Sequence, residues 1–171
     1  MNPELVIKKK VRSRAGRWWS VIVFCARTAI AAAFCLLVAR LFHLPEAYWA
    51  PITTLVITQS SLGGALNVSG QRFIGTALGA GLGAAVAGRI GPPLLLFGFS
   101  VFILGLLCAV VHADRSAYRF GGVTVAIVLL VPRSGPAWST AVHRFAEVSI
   151  GIVVALLLSV IWPETQEGWP G

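Results

Sequence analysis

Charge is what this sequence has least of. Only 12% of its 171 residues are charged, six are acidic and three are histidine, against about 25% charged residues in a soluble globular domain. Hydrophobic residues make up 57% and mean hydropathy is +0.82. The chain therefore lacks the polar surface to cover a globule in water and reads as an integral membrane protein. Hardly any chain lies outside the apolar runs, which excludes enzymatic chemistry housed in a separate globular module. Cys25, Cys35 and Cys108 are odd in number, sit in apolar segments and have no paired spacing. They read as small packing residues, with neither disulfide nor metal-site logic. The histidines are too few and too far apart for a metal centre, and no Ser–His–acid set has catalytic spacing. Neither cofactor nor metal is expected, and the chain does not read as an enzyme.

The charge that is present is unevenly placed. Of a formal net +8, six basic residues (Lys8, Lys9, Lys10, Arg12, Arg14 and Arg17) precede Trp18-Trp19 and the first apolar run. That order predicts a basic cytoplasmic tail over residues 1–19 with an interfacial aromatic anchor. Such a tail could bind phosphates by charge alone, but no folded element presents it, so no nucleic-acid partner is expected. Basic residues before an apolar run ending at Ala31-Ala32-Ala33 also resemble a signal peptide. Arg27 breaks the core of that run, and cleavage would strip the first repeat of its opening helix, so the segment is expected to be retained.

Beyond the tail, the chain says nearly the same thing twice. His43-Leu-Pro-Glu46-Ala-Tyr48 leads to Gln71-Arg72-Phe73 and Gly79; His112-Ala-Asp114-Arg-Ser-Ala-Tyr118 leads to His143-Arg144-Phe145 and Gly151. The Arg-to-Gly spacing is seven in both copies, and both close on proline, Pro92 and Pro163. Six spans are expected at about 20–42, 48–59, 73–90, 92–112, 120–132 and 141–162. Each copy holds three, an odd number, so in a bilayer the second must run upside down. The expected fold is an all-α integral membrane protein, six transmembrane helices as two inverted three-helix repeats. The membrane domain covers 20–164, its repeats about 20–92 and 93–164, and 165–171 form a short tail. The excess of Lys and Arg on one side predicts both termini in the cytoplasm.

The first, fourth and sixth spans are long enough to cross a ~30 Å core. The second and fifth hold about a dozen strongly apolar residues, worth about 18 Å as helix. Each carries a breaker, Pro51 or Gly121-Gly122, and each is followed by a polar stretch, 60–70 or 133–140. Short interrupted helices at matching places in two halves are the sequence mark of a transporter's substrate site. The competing expectation is that these runs continue into polar helix ends and simply tilt. In the third span Gly75, Gly79, Gly83 and Ala87 recur every fourth residue, a ridge for close helix approach, inside one protomer or between protomers.

Several side chains are candidates for a site. An arginine at mid-membrane costs roughly 2.5–3.5 kcal/mol on insertion scales, so Arg27 either clamps an anion or snorkels to the inner headgroups. Arg72 and Arg144 are expected to open the third and sixth helices, one at each membrane face, as gates, recruitment charges or interface anchors. Glu147, three residues after Arg144, can share its helix face, which weakens it as a proton carrier. His43 with Glu46 and His112 with Asp114 could each form a proton-responsive His–carboxylate pair or merely cap helices. Tyr48, Trp49, Thr53, Thr54, Thr58 and Gln59 crowd rings and hydrogen-bonding groups into one short segment, suited to an aromatic carboxylate or to the aromatic belt.

Arg27, Tyr48-Trp49-Ala50-Pro51-Ile-Thr53, Gln59 and Gln71-Arg72-Phe73-Ile-Gly75-Thr76-Ala-Leu-Gly79 resemble the fusaric-acid-resistance-like, or aromatic acid exporter, family. Arg144 and Ile161-Trp162-Pro163-Glu164 fit the same pattern, so the resemblance covers roughly residues 20–164. It implies a bacterial inner-membrane protein related to efflux systems for aromatic carboxylic acids driven by the proton gradient, with distant kinship to plant anion channels. Larger members join such membrane halves to sizeable cytoplasmic regions. A single six-span unit is therefore expected to assemble with a second copy or another subunit. The resulting expectation is a permease for small organic anions. Substrate contacts are expected from Arg27, Tyr48, Trp49, Thr53, Gln59, Arg72 and Arg144, and proton coupling from Glu147, His43 and Asp114. An anion channel and a non-transporting membrane subunit are the rivals.

Overall fold

The computed structural model describes residues 3–44, 46–58, 62–89, 93–132 and 135–161; of 3–17 and 20 it describes the backbone alone. Six helices follow one another: α1 (Pro3–Leu41), α2 (Trp49–Ile57), α3 (Leu62–Val86), α4 (Pro93–Val110), α5 (Arg115–Leu130) and α6 (Ala137–Ile161). No strand occurs among the described residues. Three stretches, Val21–Leu41, Pro93–Val110 and Ala137–Ile161, are long and apolar enough to cross a membrane. These are the first, fourth and sixth of the expected spans. α2, at 9 residues, and α5, at 16, are the two shortest helices.

One boundary and two anticipated breaks differ from expectation. The polar residues from Leu62 to Gly70 are the first turns of α3, because helix satisfies backbone polar groups internally whatever the side chains. The breakers do not break their segments. Pro51 sits in the first turn of α2, where a missing N–H costs nothing, and α5 runs unbroken through Gly121-Gly122. α2 ends at Ile57 and α5 at Leu130.

Gly121 is there for packing. A methyl group at Gly121 would lie 2.7 Å from the Gly75 carbonyl oxygen, and one at Gly75 or Gly79 would run into the carbonyls of Ala117 and Gly121. A methyl at Gly83 would press on Val128 at 3.0 Å. The expected glycine ridge thus lies inside the protomer, bringing the α3 and α5 backbones together in parallel register. Such contact is how helices associate where lipid removes the hydrophobic drive between them.

The neighbour relations of the two halves match. α1 touches α2 and α6, and α4 touches α5 and α3; α2 packs on α6, and α5 on α3; α3 and α6 pack on each other at the centre. Cys35, Ala39, Ala47, Ala50 and Val154 form the seam of α1, α2 and α6, while Leu104, Cys108 and Val125 form that of α4 and α5. The helix ends match as well. Leu44 N–H donates to the Ala39 carbonyl at 3.3 Å and Ala113 N–H to that of Cys108 at 2.9 Å. Each six-residue closure turns on a histidine in the left-handed region, His43 at φ 53° and His112 at φ 54°, the position usually given to glycine. Outward faces carry large apolar side chains, among them Ile30, Phe34 and Leu37 on α1 and Leu95, Phe99 and Phe102 on α4, a surface suited to lipid.

Candidate functional site

The two repeated Arg-Phe pairs meet at the crossing of α3 and α6. Phe73 and Phe145 lie with ring centroids 4.9 Å apart and planes inclined by 57°, within the favoured range for aromatic pairs. Arg72 and Arg144 stand beside them, both buried. Neither opens its helix, contrary to expectation. α3 begins ten residues before Arg72 and α6 seven before Arg144, so both guanidinium groups face the interior and line one cavity.

Their surroundings differ. Arg72 Nε donates to Thr53 Oγ1 at 3.1 Å, and its guanidinium carbon lies 4.7 Å from the Phe120 ring centroid. The Thr53 hydroxyl in turn donates to the Trp49 carbonyl at 3.2 Å, which leaves its oxygen free to accept from Arg72. Arg144 Nη2 pairs with Glu46 Oε2 at 2.8 Å and Nη1 with Glu147 Oε2 at 3.3 Å. Its guanidinium lies over Trp49, 3.9 Å from the centroid, a close cation–π contact. Arg144 Nε and Glu147 Oε1 are buried without hydrogen-bond partners.

Two cavities adjoin this cluster. The first, about 410 Å³, opens where α5 ends and α6 begins, with Glu46, Pro132, Thr140, His143, Arg144 and Glu147 in its walls. The second, about 210 Å³, lies among α2, α3, α5 and α6, walled by Trp49, Arg72, Thr76, Phe120, Thr124 and Arg144. Arg144 belongs to both. A ring-lined hollow with two guanidinium groups can hold an anion bearing an apolar body: the charge pairs with arginine, the body with Trp49 and Phe120.

The other anticipated residues fall elsewhere. Arg27 is 5% exposed and shares the packed face of α1 with Ala31, Cys35 and Ala39. It lines neither cavity, and its Nε has no partner. Tyr48 is exposed at the head of α2, its ring 5.7 Å from that of Trp49. Thr54 and Thr58 direct their hydroxyls to backbone carbonyls, including that of Gly151 at 3.1 Å. Gln59 lies outside the described residues. The anticipated His–carboxylate pairs do not form, because each carboxylate reaches across to the other half. Glu46 goes to Arg144, and Asp114 accepts from Gln71 Nε2 at 2.7 Å while its own N–H donates to Gln71 Oε1 at 3.1 Å. His43 and Asp114 are both exposed. Phe120 was not foreseen as a site residue, and Glu46 was foreseen only beside His43, not on Arg144. The one available signal for Glu46 was that a buried arginine demands a carboxylate, in a chain with only six.

Similar proteins carry the names of a transporter and of an inner-membrane protein. The protein named "Uncharacterized transporter YdhK" of Salmonella typhimurium is 29% identical over 166 residues, which is 92% of this chain and 24% of that protein. "Inner membrane protein YeeA" of Escherichia coli K12 is 32% identical over 150 residues, 84% of this chain and 41% of that protein. The chain thus spans about a quarter to two fifths of the curated relatives it matches. No solved structure matches it. The family model described as fusaric acid resistance protein-like matches residues 19–158, and the chain with its facing arginines belongs to that family.

Proposed function

We propose that this chain is the membrane unit of a permease that moves small aromatic organic acids out across the bacterial inner membrane. The observation that carries the proposal is the cavity of about 210 Å³ in which Arg72 and Arg144 face the rings of Trp49 and Phe120. Its size is below the roughly 300–1,000 Å³ of drug-sized pockets, which suits a one-ring acid. Arg72 takes the carboxylate, with Thr53 orienting the guanidinium; Trp49 and Phe120 hold the ring; Arg144 stands between this cavity and the outer one. Tyr48 contributes from the head of α2, Gln59 is a further substrate contact, and Arg27 lies on the route towards the cytoplasm. Glu147, with one oxygen unpaired, is the first candidate for moving a proton, ahead of the exposed His43 and Asp114.

The matched neighbour relations of the halves and the parallel runs of α3 with α5 and α2 with α6 support six membrane-embedded helices in two inverted triplets. Both termini then lie on one side, which the basic run before Trp18 makes the cytoplasm, and α1 and α4 carry most of the lipid contact. On this reading the unit acts as a homo-oligomer or beside a second transporter subunit. Reconstituted into proteoliposomes, the chain should take up benzoate saturably, and Arg72→Gln should reduce that uptake by roughly 100-fold. Equal flux in both would remove the anion site. Arg144 borders both hollows, and this favours one second reading, an anion channel. Unitary current steps in a planar bilayer would select it over a carrier.

A further inference from the structure

We infer that Glu46 occupies the seat on Arg144 that a ligand's carboxylate takes, so that the outer cavity admits monocarboxylates by one-for-one exchange. The inference rests on the anion-permease reading above and adds to it an occupant for the second arginine.

The two carboxylates on Arg144 are not equivalent. Glu147 has a side chain 1% exposed and lies three residues along the same helix, so α6 itself holds it beside Arg144. The Glu46 side chain is 31% exposed. It belongs to the non-helical residues between α1 and α2, borders the cavity of about 410 Å³, and reaches Arg144 from 98 residues away. Glu46 is the partner that can move. The guanidinium cannot follow it, being stacked on Trp49 at 3.9 Å and tied to Glu147.

Charge balance then fixes the ligand class. Arg144 and Glu147 cancel, and Glu46 adds one negative charge at the outer cavity. Replacing Glu46 by another monocarboxylate leaves the buried charge unchanged. A dianion or an amine would leave an uncompensated charge in a low-dielectric site, which is strongly unfavourable. Arg72 shows the contrasting case. Its partners are a hydroxyl and a ring, so an anion arriving there displaces no resident carboxylate.

The test is equilibrium binding of radiolabelled benzoate to the detergent-solubilised full chain. In an Arg72→Gln background, which isolates Arg144, adding Glu46→Gln should tighten benzoate binding roughly ten-fold, the order expected when one charge-assisted hydrogen bond stops competing. Terephthalate, a dianion, should gain less. If Glu46 were only a brace between loop and helix, the change would lower thermal stability and leave benzoate affinity where it was, and that result overturns the inference. Should the double variant fail to fold, the unaltered chain decides: saturating benzoate should speed deuterium exchange of the amides between Phe42 and Tyr48. Saturable binding with unchanged exchange overturns the inference alone. Absence of benzoate binding in every protein overturns the anion-site reading and this inference together.

Discussion

The two halves carry the same arginine in the same register and surround it differently. Three residues after Arg72 stands Gly75, whose missing side chain lets the Ala117 carbonyl press against α3. Three residues after Arg144 stands Glu147, fully buried and paired with that arginine. The hydroxyl that meets Arg72 comes from Thr53; the matching residue of the other half, five beyond Tyr118, is Val123. One half has invested its position in close backbone packing, the other in charge neutralisation. Two halves with matching neighbour relations thereby present one arginine with open hydrogen-bonding capacity and one already engaged.

The largest expected break in this comparison is Arg144→Ala. It strands a buried Glu147, and unfolding in mixed detergent should show a loss of about 3–5 kcal/mol. Arg72→Ala loses a hydroxyl contact and a ring contact, so about 1–3 kcal/mol should go while benzoate flux stops. Equal destabilisation by the two would erase the distinction between the halves. Next comes the glycine pair at matching positions. Gly79→Ala meets the Gly121 backbone and Gly151→Ala meets the Ala50 carbonyl and Thr53, each costing about 1–3 kcal/mol through overpacking. Gly63→Ala meets open space and should change stability by no more than about 0.5 kcal/mol.

Smaller effects sharpen the contrast. Thr53→Val should cost about 1 kcal/mol and raise the KM for benzoate. Thr124→Val, whose hydroxyl donates only to the Phe120 carbonyl of its own helix at 3.0 Å, should leave the KM unchanged. In the opposite direction, His43→Gly or His112→Gly should stabilise by up to about 1 kcal/mol by relieving the left-handed residue, with flux unaltered. A fall in flux with either would return the histidines to consideration as proton carriers.

Much of the helix plan was legible because hydropathy and length speak directly to a bilayer. The long first, fourth and sixth helices and the short second and fifth follow from composition alone. The start of α3 did not, since Leu62 to Gly70 mixes glycine, serine and asparagine that read as loop by propensity, yet helix is the conformation that closes its backbone bonds. The site was half legible. Arg72, Arg144, Trp49 and Thr53 stood out by type, and the Arg144–Glu147 pair followed from three-residue spacing. That the arginines share a cavity depends on where α3 and α6 cross, which no local pattern encodes. Glu46 was read with its neighbour His43, because sequence distance favoured a contact that the fold replaced with one spanning 98 residues.

Phe73 and Phe145 touch each other, although each holds the same station in its own half. A residue that meets its own counterpart sits on the line about which the halves would trade places. If the molecule alternates between two shapes by letting each half adopt the other's posture, everything else must shift while this pair stays put. The crossing of α3 and α6 is then the fulcrum of the molecule, with the guanidinium groups one residue away on the shortest lever arms.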